Sequence, residues 1–259
     1  MNRAQIAFAQ DKGPRENIED DYGALTLRIH GKHNIGIKCL ILADGVGGGN
    51  YGEVASALAI KQVSASITKS LISLDPEAGE KALAPDSIID IVEAALTDAN
   101  NTIIEKAEKN PSYKGMSTTI VCGVVVNGKL YVGWAGDSRC YVFRNGKMRQ
   151  LSRDHSEVEA LIEAGLINRE QSKHHPLSHV INRCLGMKEV FDCDVNVCSL
   201  LPKDIVLLCS DGLTDVLSDQ EIAHSMRRYR SGLCSFRQMS ESLVCRALRS
   251  HTTDNVTVL

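Results

Sequence analysis

Residues 118–146 read TTIVCGVVVNGKLYVGWAGDSRCYVFRNG and contain three short runs of apolar and β-branched residues. Such runs are typical of β-strands, and we predict strands at 118–126, 129–135 and 139–144. Asn127-Gly128 and Asn145-Gly146 follow two of these runs. Because this dipeptide suits the type I′ turn, in which both central residues have positive φ, the stretch predicts antiparallel hairpins.

The rest of the chain contains further predicted strands and several predicted helices. Further strands are predicted at 5–9, 22–28, 35–43, 205–209 and 255–259. Apolar residues recur at helical spacing in two stripes: Ala55, Leu58, Ala59, Val63, Ile67 and Leu71, then Ile88, Val92, Ala95, Leu96, Ala99 and Ile103. Pro85, Asp86 and Ser87 suit the start of the second helix, and shorter helices are expected near 157–164, 219–229 and 236–249.

Helices that cluster between strand pairs, rather than alternating one for one, indicate an α+β fold. We predict an antiparallel sandwich with helices on its outer faces, and a doubly wound parallel sheet is the weaker alternative. The sequence contains no internal repeat, low-complexity tract or linker, so residues 1–259 are interpreted as a single domain.

Composition excludes several classes of function. The 259 residues include 29 Lys and Arg against 32 Asp and Glu, and this balance gives no general attraction to nucleic acid or to anionic lipid. The amino terminus has no secretory apolar stretch, and no run is long enough to span a membrane, so we expect a cytosolic protein that binds neither nucleic acid nor membrane. Nine cysteines lie in apolar segments without a CxxC pair, which favours reduced, buried thiols over zinc ligands or disulfides.

Acidic residues gather where the predicted strands begin and end. Asp44, Asp137 and Asp211 each follow an apolar strand and have small neighbours, while Glu19-Asp20 and Asp254 precede strands. In an antiparallel sheet the start of one strand lies beside the end of its neighbour, so all five positions can meet at one edge. Each motif alone is more often a turn, but together they predict a site for hard divalent cations, because crowded carboxylates repel one another.

These residues resemble the metal-dependent serine/threonine protein phosphatases of the PPM, or type 2C, family in its compact bacterial form. The resemblance covers essentially the whole chain. Its motifs are Arg15-Glu16-Asn17-Ile18-Glu19-Asp20, Ala43-Asp44-Gly45-Val46-Gly47-Gly48, Gly52-Glu53-Val54-Ala55-Ser56, Gly115-Met116-Ser117-Thr118-Thr119, Ala135-Gly136-Asp137-Ser138-Arg139, Ser152-Arg153-Asp154-His155-Ser156, Ser210-Asp211-Gly212-Leu213-Thr214-Asp215 and Asp254-Asn255-Val256-Thr257.

The resemblance implies a four-layer αββα sandwich, two antiparallel sheets flanked by helices, with a metal site at one end. It also implies the cofactors, two Mn²⁺ or Mg²⁺ ions and a third, weaker ion. The implied ligands are Asp44 bridging both metals, the Gly45 carbonyl on one, Asp211 and Asp254 on the other, Glu19 and Asp20 directly or through water, and Asp137 and Asp215 for the third ion.

The implied reaction is hydrolysis of phosphoserine and phosphothreonine in proteins by a water that two cations share and activate. Arg15 is the candidate for gripping the phosphate, since its planar fork matches phosphate oxygens. The general acid is left open, because Val46 stands where some relatives have a histidine. His155, His174, His175, His179 or a metal-bound water are the alternatives. Zinc binding by His175 and His179, four residues apart, is disfavoured by Pro176.

The stretch 157–186 corresponds to the variable flap beside the family's site, which suits substrate selection. The expected partners are phosphorylated proteins that a Ser/Thr kinase modifies, and the protein is expected to be a monomer. Two alternatives are a catalytically silent binding or sensing module with the same fold, and a metal-dependent phosphoesterase acting on small molecules.

Overall fold

The structure is a computed structural model, and it describes residues 5–29, 35–46, 51–73, 83–172, 175–187 and 191–259. Its strands are β1 (Ala9–Asp11), β2 (Asp20–Ile29), β3 (Ile35–Asp44), β4 (Ile120–Val126), β5 (Lys129–Ala135), β6 (Arg139–Arg144), β7 (Lys147–Gln150), β8 (Asp194–Ser199), β9 (Ile205–Cys209) and β10 (Val256–Val258). Its helices are α1 (Gly52–Ile72), α2 (Pro85–Lys109), α3 (Glu157–Glu163), α4 (Arg169–Ser172), α5 (Asp211–Thr214), α6 (Asp219–Arg230) and α7 (Phe236–Arg249), with a 3₁₀ turn at Pro111–Tyr113.

The strands form two five-stranded sheets. One has the order β2-β3-β4-β5-β8 and the other the order β1-β10-β9-β6-β7, and every pairing is antiparallel. The predicted I′ turns are present, because Asn127 and Gly128 have φ of 49° and 71°, and Asn145 and Gly146 have φ of 51° and 81°. The antiparallel prediction is therefore confirmed, and the parallel alternative is wrong.

Alternate residues of the central strands point to two different apolar layers. Ile41 and Cys122 pack with α1 and α2 on one side of the first sheet. Leu42, Val121 and Leu208 pack in a layer between the two sheets. A third layer joins the second sheet to α6 and α7. The order is helices, sheet, sheet, helices, so the predicted αββα sandwich is confirmed.

The predicted helical stripes are buried as expected, apart from Leu58, which is partly exposed. Two strands were missed, namely β7 and β8, because both are short and half of the residues of each are exposed. The strand predicted at 5–9 is displaced, since β1 occupies Ala9–Asp11 and pairs with Val256–Val258. Pairing with a distant strand fixed this position, and the local pattern does not contain that information.

The nine cysteines are all free, and six of them are buried, whereas Cys193 and Cys234 are partly exposed and Cys245 is exposed. The expectation of burial is confirmed for six of the cysteines and is wrong for Cys245, and their reduced state stays a prediction. Within the described residues, none of the helices has the length and apolar character that crossing a membrane requires.

Candidate metal centre

Carboxylates from both sheets meet at one end of the sandwich. Asp20, the first residue of β2, lies directly opposite Asp44, the last residue of β3. The Asp20 Oδ2 atom accepts hydrogen bonds from Ser210 Oγ at 2.8 Å and from Thr257 Oγ1 at 2.6 Å. Because Ser210 follows β9 and Thr257 lies in β10, these hydrogen bonds connect Asp20, which belongs to the first sheet, to the second sheet.

Crowding raises the pKa values of these carboxyl groups. Burial raises the pKa of Asp44 well above its usual range, and the negative charges of Asp20, Asp211, Asp137 and Asp254 raise it further. The pKa of Asp211 is also well above normal, through burial and then the charges of Asp137, Asp215 and Asp254. The predicted acidic positions therefore lie within electrostatic reach of one another.

The neighbouring carboxylates show the same effect more weakly. Burial raises the pKa of Asp20 to about 6, against the hydrogen bonds from Thr257 and Ser210. Burial and the Asp154 charge raise the pKa of Asp137 to about 6. The pKa of Asp215 is raised by burial, which outweighs the attraction of His179. Burial also raises the pKa of Glu19, and Arg15 opposes this shift.

Two carboxylate oxygens fit a hard cation. Asp20 Oδ1 and Asp211 Oδ1 are fully buried, and neither has a hydrogen-bond partner among the residues that the structure describes. A buried, unpaired carboxylate oxygen is unfavourable unless a donor or a cation neutralises it. An all-oxygen donor set is also what Mg²⁺ and Mn²⁺ take, so the residues present suit these ions.

The side chains do not form a complete ion cage as they stand. Over the described ranges, no group of three or more His, Cys, Asp or Glu side chains is placed to hold a metal ion. One reason is visible at Asp254, whose Oδ2 accepts a hydrogen bond from Arg15 Nη2 at 2.6 Å and whose Oδ1 accepts one from its neighbour's amide at 2.8 Å. Both oxygens of Asp254 therefore already accept one hydrogen bond each.

The comparison with known sequences identifies the same family that the sequence motifs resemble. The sequence profile of the family Protein phosphatase 2C matches residues 18–247. The serine/threonine phosphatase stp of Listeria welshimeri is 30% identical over 97% of this chain and 93% of its own length. This chain belongs to the Protein phosphatase 2C family.

Solved structures of similar proteins have the same fold. The Mycobacterium tuberculosis serine/threonine phosphatase PstP/Ppp matches with a TM-score of 0.78 and 30% identity over 97% of this chain and 95% of that one. The catalytic domain of serine threonine protein phosphatase PstP in complex with two manganese ions matches with a TM-score of 0.73 and 30% identity, over 97% of this chain and 94% of that one. A solved relative with the same fold therefore holds two manganese ions.

Arg15 lies beside the carboxylate cluster of this phosphatase's candidate metal centre. Its Nε donates to the Thr253 carbonyl at 3.1 Å, its Nη2 contacts Asp254, and its side chain is 45% exposed. The guanidinium is thus both accessible and close to the carboxylate cluster. A role in phosphate binding stays a prediction.

Gly45 is buried and fits closely against the start of α1. A β-carbon on Gly45 would lie 2.5 Å from the carbonyl carbon of Gly52, so only glycine fits. The Gly45 amide donates to the Glu19 carbonyl at 3.1 Å. Residues 47–50, the rest of the glycine-rich turn, lie outside the described part of the chain.

The candidate histidines of this phosphatase differ sharply in environment. His155 is buried, whereas His179 is 77% exposed and lies 3.9 Å from Asp215. His175 lies in the flap, where its Nδ1 accepts from the Leu177 amide at 3.2 Å. Residues 176–179 form a turn, so the helical spacing of His175 and His179 has no helix beneath it. His174 lies outside the described residues.

Asn255 is buried and organises the centre, although it was not among the residues predicted for the site. Its Oδ1 accepts from the amides of Glu19 at 2.6 Å and Asp20 at 3.4 Å, and its Nδ2 donates to the carbonyls of Lys12 and Asn17 at 2.8 and 3.0 Å. The available signal was its position directly after Asp254 in a family motif.

Thr118 and Thr119 were also missed as residues that position Asp44. Thr118 Oγ1 donates to the Asp44 carbonyl at 2.8 Å, and Thr119 Oγ1 accepts from the Asp44 amide at 3.1 Å. Ser138 Oγ lies 2.8 Å from Thr119 Oγ1. These side-chain bonds add to the backbone bond from the Thr119 amide to the Asp44 carbonyl, at 2.8 Å, and hold the Asp44 backbone at the end of β3.

Proposed function

We propose that this chain hydrolyses phosphoserine and phosphothreonine in proteins with the help of two divalent cations. The observation that carries the proposal is the pair of buried, unpaired oxygens on Asp20 and Asp211, within a cluster of carboxylates that raise one another's pKa values. Membership of the Protein phosphatase 2C family supports the same reaction.

The cation ligands are proposed from the family motifs and their convergence here. Asp44 and the Gly45 carbonyl, with Asp211 and Asp254, would hold the two principal ions. Glu19 and Asp20 would act directly or through water, and Asp137 and Asp215 would serve a third, weaker site. When bound, two divalent cations lower the pKa of water toward neutrality and offset the charge of the phosphate.

The chain's own residues bind and orient the substrate. Arg15 has a charged, partly exposed guanidinium at the edge of the centre, where a bidentate contact with phosphate oxygens orients the phosphorus atom. His155 is buried with both ring nitrogens engaged, so it does not reach a leaving group. Among the candidate histidines that the structure describes, His179 is exposed beside Asp215 and is the one we propose to give a proton to the leaving oxygen of the serine or threonine side chain.

The substrates on this proposal are phosphorylated proteins, and the flap over 157–186 is the segment that selects among them. Mg²⁺ as an alternative cation, a partner kinase, a monomeric state, a cytosolic location and a single domain over 1–259 stay predictions from the sequence.

The test compares substrates and cations. Purified protein with Mn²⁺ is expected to cleave a phosphothreonine peptide and p-nitrophenyl phosphate, and EDTA is expected to abolish both reactions. Asp44→Asn and Asp211→Asn are expected to lose turnover while retaining the wild-type circular dichroism spectrum. Asp90→Asn, on the exposed face of α2, is the matched control and is expected to keep wild-type activity.

Faster cleavage of nucleotides than of phosphopeptides would instead favour a small-molecule phosphoesterase. No cleavage of any substrate, together with no Mn²⁺ binding by calorimetry, would favour a silent binding module.

A further inference from the structure

His155 lies between the Gly136–Asp137 turn and the start of β8, and its ring contacts both. Its Nδ1 accepts a hydrogen bond from the Gly136 amide at 3.2 Å, and its Nε2 lies 3.2 Å from Asp194 Oδ2. The ring stacks on Trp134 with 5.9 Å between centroids and 17° between planes. The imidazole is 7% exposed, so these contacts define its position.

The contacts determine which nitrogen carries the proton. A backbone N–H only donates, so the Nδ1 atom that faces Gly136 must be the acceptor. The remaining Nε2–H then points to the Asp194 carboxylate, which is a good acceptor for it. His155 is therefore held as the neutral Nε2–H tautomer, and neither nitrogen is available to substrate.

Gly136 connects the His155 ring to Thr119, which contacts Asp44. It has φ of +119°, and a β-carbon there would lie 2.6 Å from the Thr119 Cβ. Thr119 in turn exchanges hydrogen bonds with Asp44 through its amide, at 2.8 Å, and its Oγ1, at 3.1 Å. The imidazole thus supports, through one glycine, the turn that carries Asp137 and the threonine that positions Asp44.

The backbone around His155 contacts the flap. The His155 amide donates to the Gly136 carbonyl, and the His155 carbonyl accepts from the Asn182 amide, both at 2.9 Å. Glu157 donates to the Val180 carbonyl at 2.9 Å, and Ser156 caps α3. The two ends of the flap are thereby paired directly beside the ring of His155.

We propose that His155 is a positioning residue that holds the Gly136–Asp137 turn in register with the flap base, and so orients the Asp137 and Asp44 carboxylates for cation binding. The inference rests on the proposed function of the centre. It assigns to His155 a structural link between cation binding and the flap, and no proton transfer to substrate.

Substitution of His155 by asparagine or by glutamine tests the two hydrogen-bonding positions of the ring one at a time. Asparagine places an amide oxygen near the Nδ1 position and preserves the acceptor for Gly136. Glutamine places an amide group near the Nε2 position and preserves the contact to Asp194. His155→Asn, His155→Gln and His155→Ala form the series. Asp194→Ala is the control that removes the Nε2 partner, together with the contact of Asp194 Oδ1 to Arg183 Nη1 at 3.2 Å.

Residues that support metal ligands typically change affinity or activity by about ten- to a hundredfold when they are removed. His155→Gln and His155→Ala are therefore expected to raise the Mn²⁺ dissociation constant, measured by calorimetry, and to lower kcat on p-nitrophenyl phosphate within that range. His155→Asn is expected to retain most of the wild-type Mn²⁺ affinity and most of the wild-type kcat. Asp194→Ala is expected to have less than about threefold effect on either, because the Gly136 bond remains.

Two measurements report on the contact without any turnover. In ¹⁵N-labelled wild-type protein the His155 imidazole is expected to show the Nε2–H tautomer by nuclear magnetic resonance. Hydrogen exchange of the Gly136 amide is expected to accelerate in His155→Gln and to stay slow in His155→Asn.

An Nδ1–H tautomer in the wild type, or equal Mn²⁺ binding by the Asn, Gln and wild-type proteins, would overturn the inference. If His155→Ala does not fold, the Asn and Gln pair still decides the question. A wild-type protein that binds Mn²⁺ but cleaves no phosphoester would overturn the proposed function and leave the positioning role measurable through calorimetry and exchange.

Discussion

Asn255 uses every hydrogen-bonding position of its side-chain amide. It is 2% exposed and joins the loop of Lys12 and Asn17 to Glu19 and Asp20. Replacing it with alanine leaves buried donors and acceptors unpaired, which costs about 1–3 kcal/mol for such a group. We expect Asn255→Ala to lower the free energy of unfolding in urea by about that amount.

The same substitution releases the loop that carries Arg15, so a higher Michaelis constant for a phosphopeptide is also expected. Asn196→Ala is the control, because Asn196 is exposed and its side chain donates one hydrogen bond, to the Leu151 carbonyl. Equal stability of the Asn255→Ala and Asn196→Ala proteins would contradict the assigned role.

Asp204 gives a pH-dependent contribution to stability that is distant from the metal centre. Burial raises its pKa, but hydrogen bonds from Arg144 and the Leu201 amide outweigh this, and the net pKa is below its usual value. The Arg144 Nε and Nη2 atoms lie 3.0 Å and 2.5 Å from the carboxylate oxygens. Because the folded pKa is the lower one, the contribution is complete above the unfolded pKa of about 3.9 and is lost as pH falls through the folded value.

We therefore expect Asp204→Asn to be less stable than wild type at pH 7, and the difference to shrink as pH falls from about 5 toward 3. Chemical denaturation across that pH range measures it. A difference that does not change with pH would exclude the Arg144 pair as its source.

The helices α6 and α7 each begin with a complete capping box. Ser218 and Glu221 close the first, and Ser235 and Gln238 close the second. Each reciprocal pair satisfies amides that the first turn of a helix leaves without a partner. These two caps explain why both helices begin where their sequence patterns predicted.

Ser235→Ala is expected to cost about 1 kcal/mol of unfolding free energy, the usual effect of removing a serine cap, without changing kcat. Thermal and urea unfolding measure the first quantity, and hydrolysis of p-nitrophenyl phosphate measures the second. Ser231→Ala, at the other end of α6, is the matched control and is expected to be neutral. A loss of activity at full stability would show that α7 contributes to the site.

The whole molecule concentrates negative charge where its two sheets meet. Cations that bind this centre stabilise the folded state by mass action, by about 2.7 kcal/mol at a hundredfold excess over the dissociation constant. We expect the melting temperature to rise with Mn²⁺ concentration in the wild type and in Asp90→Asn.

Asp44→Asn and Asp211→Asn are expected to raise the melting temperature of the cation-free protein, because each removes a buried charge from a repelling cluster. Both are expected to lose most of the Mn²⁺ response. A wild-type melting temperature that is independent of Mn²⁺ would contradict the assignment of the centre.

Much of the fold was predictable because it depends on local chemistry. The hairpins follow from Asn-Gly turns, and the two long helices follow from apolar residues at helical spacing. Strands β7 and β8 were not predictable in this way, because they lie at the edges of the sheets and half of their residues face solvent. Such strands are defined by their partners and have no apolar pattern of their own.

The sequence by itself determined the fold class and the acidic residues available to the centre, since strand ends with small neighbours leave carboxylates uncovered. Only the tertiary structure decided that Arg15 contacts Asp254, that Asn255 joins the loop before β2 to β10, and that His155 is an interior support rather than an exposed acid. These contacts join residues that are far apart in the chain, such as Arg15 and Asp254, and they depend on how the two sheets pack. The sequence pattern gives the identity and order of the side chains, but it does not give the distances between them in the folded protein.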